Sequence, residues 1–102
     1  MPAPRRAAAL KTFAPPSASP LARAEASLLA LLTAIEPHEP NAPAAQAYRA
    51  TMRARGFEVA AAGGAEALDY LLARIRAADP AKADVREAIL DLAWAGLSGW
   101  RA

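Results

Sequence analysis

The sequence predicts a small α/β domain behind an extended N-terminal arm. Three observations carry that expectation. The segment "AEALDYLLARIRAAD" from Ala65 places Leu68, Leu71, Leu72 and Ile75 at i, i+3, i+4 and i+7, one face of an amphipathic helix. Just before it, "FEVAAA" alternates Phe57 and Val59 with Glu58 and closes on Gly63-Gly64, the pattern of a short strand. Earlier, Leu28 to Ile35 is a nearly unbroken apolar run. Its length suits a buried strand or the last turns of a helix, and periodicity does not separate the two.

The 102 residues make one small domain. A domain of that size buries a smaller share of its surface than a large one. Hydrophobic residues are 55% of the chain, but alanine supplies much of that, so bulky core material is scarcer than the figure suggests. The absence of cysteine excludes a disulfide framework and a thiolate zinc site, and fits a cytoplasmic protein. No apolar run approaches the ~18 residues that would span a membrane.

The net charge is +2, and residues 1–19 contribute +3 of it through Arg5, Arg6 and Lys11 with no acid, which leaves the remainder at −1. That distribution is not the footprint of a specific nucleic-acid-binding domain. Residues 1–19 read as a disordered Ala/Pro/basic arm, punctuated by Pro2, Pro4, Pro15 and Pro16. The folded part is expected over residues 20–102.

The remaining elements follow in order. "ARAEA" ahead of the Leu28–Ile35 run favours helix. "EPHEPNAP" is a loop, with His38 exposed between its prolines. Asn41 offers a cap and Pro43 a tolerated first-turn residue for the helix "AAQAYRATMRARG", with Gly56 as its stop. Tyr48, Met52 and the Leu68–Ile75 face are core. Arg49, Arg53 and Arg55 form a solvated cationic side, and Arg53 and Arg55 suit the negative end of the helix dipole. The last segment, "VREAILDLAWAGLSGW", is open between two readings. Asp84 followed by Glu87 gives a cap-like start to a helix. Alternatively, a strand runs through Ala88-Ile89-Leu90 with Asp91 at its C-terminal edge. Trp94 and Trp100 are expected to pack.

Two stretches, in this order, carry a family resemblance. "ARGFEVAAAGGAEALDYLL" is similar to the helix–strand–helix span of response-regulator receiver domains. "ILDLAWAGLSGW" resembles their phosphoacceptor segment, with Asp91 in the acceptor's place and Gly96, Ser98 and Gly99 matching the residues that follow it. The resemblance covers roughly residues 28–102. It implies a partial flavodoxin-like fold of three parallel strands in the order 2-1-3, flanked by helices.

It also implies Asp91 as phosphoacceptor, with Glu36 and Glu39 joining Asp91 around Mg²⁺. A histidine kinase or phosphotransfer protein would be the partner, in a two-component phosphorelay. The chain departs from the family in three places. The acidic pair is split by Pro37 and His38, Trp94-Ala95 replaces Met-Pro, and the chain ends at Ala102, before the strands that supply a hydroxyl residue and a lysine. Asp91 is therefore expected to accept phosphate weakly or not at all, and the protein to act through protein–protein contacts. Strand 3 would be an exposed edge, which a homodimer would cover.

No catalytic triad, phosphate-binding loop, dinucleotide fingerprint or His/Cys metal set is present, so an independent enzyme activity is not expected. The alternative is a small all-helical interaction or adaptor protein, with segments 20–36, 42–56, 65–78 and 84–97 packed as a bundle. A third reading gives the basic arm a weak, salt-sensitive role at phosphate or anionic lipid.

Overall fold

The computed structural model describes residues 19–101. The expected arm up to residue 18 lies outside them. Three α-helices follow one another: α1 (Pro20–Ile35), α2 (Pro43–Ala78) and α3 (Ala83–Trp94), with a short 3-10 turn at Pro80–Lys82 ahead of α3. Ser19 caps α1, its Oγ accepting from the Ala22 amide at 3.1 Å, and Pro20 occupies the first turn, where its missing amide costs nothing.

The second helix is two helical segments joined at Gly64, whose φ of 69° and ψ of −161° lie outside helical geometry. A side chain is disfavoured at such a φ, and glycine adopts it freely. The chain turns back there. Segment 43–63 begins beside the C-terminal end of α1, where Tyr48 meets His38, and ends with Val59 facing Leu21 and Ala24 near its N-terminal end. Segment 65–78 then returns, so that Arg74 binds Glu25, and Lys82 just beyond it binds Glu36. α3 runs back once more, from Arg76 beside Asp84 to Trp94 beside Met52. The order is that of an up-down-up-down bundle.

The core is one cluster. Ala24, Leu28, Leu32 and Ile35 form the inner face of α1, and Met52 and Val59 come from the outgoing half of α2. Leu68, Leu71, Leu72 and Ile75 come from its returning half, and Leu90, Ala93 and Trp94 from α3. The expected core residues Met52, Leu68, Leu71, Leu72 and Ile75 are buried, and Tyr48 packs at the edge.

The α/β expectation is overturned: among the described residues there is no strand, and the fold is the all-helical alternative. Each expected strand is helix. The Leu28–Ile35 run lies in α1, where its apolarity marks a helix that buries Leu28, Leu32 and Ile35. "FEVAAA" lies in α2. A strand would put Phe57 and Val59 on one face, whereas Val59 is buried and Phe57 is 64% exposed, as helical residues two apart must be. Three alanines and an Arg55–Glu58 pair one turn apart, 3.3 Å, favour the helix locally. Ala88-Ile89-Leu90 lies in α3, so the parallel order 2-1-3 and its exposed edge fall together.

Three punctuation residues act otherwise than the sequence suggests. Gly56 does not end a helix; it lies inside α2, beneath Trp94. Asp84 is not the cap of α3. Lys82 holds that position without a side-chain bond, and Asp84 accepts from Arg76 at 3.1 Å. Ala42, rather than Asn41, is the N-cap of α2.

Candidate functional site

Asp91 sits on α3, not at the end of a strand. Both of its carboxylate oxygens accept from Nη1 of Arg101, at 2.9 and 3.1 Å. Nη2 of Arg101 donates to Glu87 at 2.6 Å, and the guanidinium lies 4.5 Å from the ring centroid of Trp100. Trp100 in turn meets Trp94 edge-on, with centroids 4.7 Å apart. Both indoles are buried.

The glycines that resemble the residues after a phosphoacceptor build the tail that makes this contact. Gly96 and Gly99 have φ of 85° and 87°, and a Cβ on Gly99 would lie 3.2 Å from the Ala65 backbone. Asp91 and Glu87 thus hold Arg101, and Arg101 holds Trp100 down. The hydrogen bond from Arg101 draws the Glu87 carboxyl below its ordinary range, and the charges of Arg101 and Arg76 add to the effect against a desolvation penalty.

Glu36 follows the last turn of α1. It accepts from Lys82 Nζ at 2.8 Å and lies 3.5 Å from Nη2 of Arg86. The Lys82 hydrogen bond is the main reason its carboxyl is also held low. Arg86 is buried at 7% exposure, with its Nε unbonded. Glu39 is exposed in the connecting loop, its carbonyl accepting from the Ala42 amide at 3.0 Å. Asp91 and Glu36 therefore belong to separate ion-pair groups. The argument that neighbouring strand ends bring Glu36, Glu39 and Asp91 around Mg²⁺ lapses with the strands. Among the described residues no three His, Cys, Asp or Glu side chains gather as a cation site.

The structure offers a different concavity. Between the N-terminal half of α1 and α2 on either side of Gly64 lies a groove of about 670 Å³. Leu21, Ala24, Val59, Ala62 and Ala67 line it, and Arg23, Arg55 and Glu58 are its ionisable residues. Its walls are helical faces. Pro20, Arg23, Ala24 and Ser27 recur at i, i+3, i+4 and i+7 along α1, and Arg55, Val59 and Ala62 recur at the same kind of spacing along α2. Arg55 holds Glu58 through one terminal nitrogen, while its Nε is shut off from solvent with no hydrogen-bond partner.

A convex counterpart lies elsewhere. On the outer side of α3, Val85 and Leu92 are 57% and 68% exposed. Ala88 is exposed between them and Ile89 half-buried, which completes an i, i+3, i+4, i+7 stripe. α3 is therefore apolar on two sides, one of which the fold uses.

No protein family, curated protein or solved structure matches the chain. No helix among the described residues is long and apolar enough to cross a membrane. The groove escapes sequence reading because half of one wall is "EVAAAG", which reads as strand. The signal that finds it is the helical spacing of Arg55, Val59 and Ala62 once Gly56 is not taken as a stop.

Proposed function

We propose that this chain is a small all-helical interaction protein that docks a partner in the groove between α1 and α2. The groove carries the reading. It is an apolar trough of about 670 Å³ walled by two helices at ridge-and-groove spacing, the shape into which a third helix packs. The α/β scaffold that supported a phosphorelay role is absent from the described residues, and Asp91 is engaged in holding the C-terminal tail. A helical bundle with an open apolar trough supports recognition by surface contact.

A photo-crosslinking amino acid tests this in cells of the source organism. It would replace Ala62 in the groove and, as control, Ala73, which is exposed on α2 and does not line the groove. The expected result is a discrete adduct from position 62 and none from position 73. Adducts at neither site, or equally at both, would remove the groove as a docking site.

A further inference from the structure

We propose that Gly64 is the hinge of an exchange between two copies of the chain: α2 straightens there, and residues 65–101 of each copy pack onto residues 20–63 of the other. The partner is a second copy because each half of the chain is the other half's counterpart already. The exchange does not depend on what the α1–α2 groove docks.

The bend rests on two glycines. Helical geometry holds on both sides of Gly64, and no loop separates the outgoing and returning segments of α2. The φ of 69° and ψ of −161° at Gly64 lie in a region that glycine alone enters freely. Gly63 permits the same turn by being small, since a Cβ there would lie 2.7 Å from Cβ of Ala67. In a continuous helix, residues four apart stand about 5–6 Å apart at Cβ, and that clash disappears. The bend therefore requires glycines that a straight helix does not. Ala60-Ala61-Ala62 before them and Ala65-Glu66-Ala67 after them are good helix formers. Turning one residue to helical geometry makes α2 a single rod of about 54 Å.

The two halves are helical hairpins that need each other. Residues 20–63 form one, in which His38 meets Tyr48; residues 65–101 form the other, in which Arg76 binds Asp84. The core is made across the hinge: Leu28, Leu32 and Met52 share one buried cluster with Leu71, Ile75 and Trp94. Glu25 accepts from Arg74 at 3.0 Å, Glu36 from Lys82 at 2.8 Å and the Met52 carbonyl from Trp94 at 2.9 Å. Each of these contacts re-forms when the second half comes from another copy. The outgoing and returning segments run in opposite directions, so two straight rods lie antiparallel about a two-fold axis near Gly64. Such a contact is the same on both copies, and association stops at the dimer.

Concentration and hinge chemistry decide between the two forms. In the bent chain each half meets its own counterpart at an effective concentration on the order of millimolar. Exchange competes as the chain approaches that concentration, or as the hinge favours the rod. A short connection held in a special conformation invites it. The core must open for one form to become the other, so the two interconvert slowly once folded.

Refolding the full chain, with size-exclusion chromatography and light scattering on the products, tests this. The wild type is expected to refold as a monomer at about 10 µM and to yield, at about 1 mM, a dimer that persists on dilution. Gly64→Ala disfavours the bend and favours the rod, and each dimer holds two rods, so its dimerisation constant is expected to rise at least about tenfold. Inserting Gly-Ser-Gly after Gly64 gives the bend a loop and is expected to remove the dimer. A short thiol crosslinker between Glu25→Cys and Arg74→Cys, in a chain with no other cysteine, reads the exchange. It is expected to join two chains in the dimer and to stay within one chain in the monomer.

A dimer whose 25–74 crosslink stays within one chain is ordinary surface association and overturns the proposal. A folded Gly64→Ala that remains monomeric at about 1 mM overturns it too, because the rest of the fold then holds the bend. Should Gly64→Ala fail to fold, the wild type decides alone: refolding only to monomer at that concentration overturns the exchange, and a dimer crosslinked between chains supports it.

Discussion

Trp94 donates its indole N–H to the carbonyl of Met52 at 2.9 Å, in the buried interior where α3 meets α2. This bond lets a large aromatic with a polar edge sit at zero exposure, because the N–H keeps a partner. It also fixes how closely the two helices approach. The ring lies over Gly56, one helical turn beyond Met52, where a Cβ would fall 2.7 Å from Cδ1 of Trp94 and nearer still to Nε1.

Gly56→Ala separates packing from propensity. In an open helix the exchange would stabilise by about 1 kcal/mol. Under Trp94 it forces the indole out of its seat, an overpacking cost of about 1–3 kcal/mol that matches or exceeds the gain. Thermal unfolding is expected to show no stabilisation and a net loss, with the indole fluorescence of the folded state shifted as Trp94 moves. A rise in midpoint would mean that Gly56 sits in the helix for no packing reason.

Leu90 and Leu92 give the most direct check on the fold. In a strand, residues two apart share a face; in α3, Leu90 is fully buried and Leu92 is 68% exposed. Leu90→Ala is expected to cost about 2–5 kcal/mol, as buried leucine truncations do. Leu92→Ala at concentrations where the chain is monomeric is expected to change stability by less than about 0.5 kcal/mol. Denaturant midpoints of the two variants measure the contrast, and similar losses from both would restore the strand.

Much of the core was legible in the sequence, and the class of fold was not. The Leu68–Ile75 face was plain because four large residues repeat with the period of a helix. Leu28–Ile35 and "FEVAAA" were not, because short apolar runs look alike in either structure and only the partner surface decides. Glycine carried the larger error. At Gly56 and Gly63-Gly64 a small residue reads as an end, and the chain uses it for close packing in one place and a reversal in the other. Asp91 misled for a related reason. An aspartate followed by a glycine-rich turn describes a phosphoacceptor loop, and equally a helix end whose tail folds back. The deciding residue, Arg101, stands ten positions further on. Arg53 was read as serving its own helix, yet it donates to the carbonyls of Ala93 and Ala95, at 3.2 and 2.5 Å, and satisfies the end of α3 instead.

Arg86 is the buried charge that the fold tolerates rather than needs. It is 7% exposed, its Nε is unbonded, and its contact with Glu36 is a long 3.5 Å. Glu36 keeps its shorter bond to Lys82 when Arg86 is removed. Arg86→Met retains the packing of the stem and removes the desolvated cation, so the unfolding midpoint is expected to stay level or rise. Glu36→Ala is expected to lower it, because a buried guanidinium is then left without its counter-charge. The reverse order in a pair of melting curves would make the Arg86 charge itself a net stabiliser.

The acid limit of the fold follows from Glu36 and Glu87. Both carboxyls are held below the ordinary glutamate value of 4.5, Glu36 first by its bond from Lys82 and Glu87 first by its bond from Arg101. A carboxyl held low in the folded chain binds fewer protons there than in the unfolded chain, so stability rises with pH through the interval between the two values. Its contribution is complete above the unfolded value and is lost as pH falls through the folded one. The melting temperature is therefore expected to stay level from neutral pH to about 5 and to drop below about 4.5, where the carboxyls gain protons. Glu87 loses its hold on Arg101 in the same step, and Arg101 covers Trp100, so the tail should loosen first and Trp fluorescence should change ahead of far-UV ellipticity. A Glu36→Gln/Glu87→Gln double variant is expected to melt lower at neutral pH and to lose less on acidification. Both groups are solvent-accessible, so 1 M salt should flatten the profile of the wild type toward that of the variant. Identical acid profiles for the two proteins would place the pH sensitivity elsewhere.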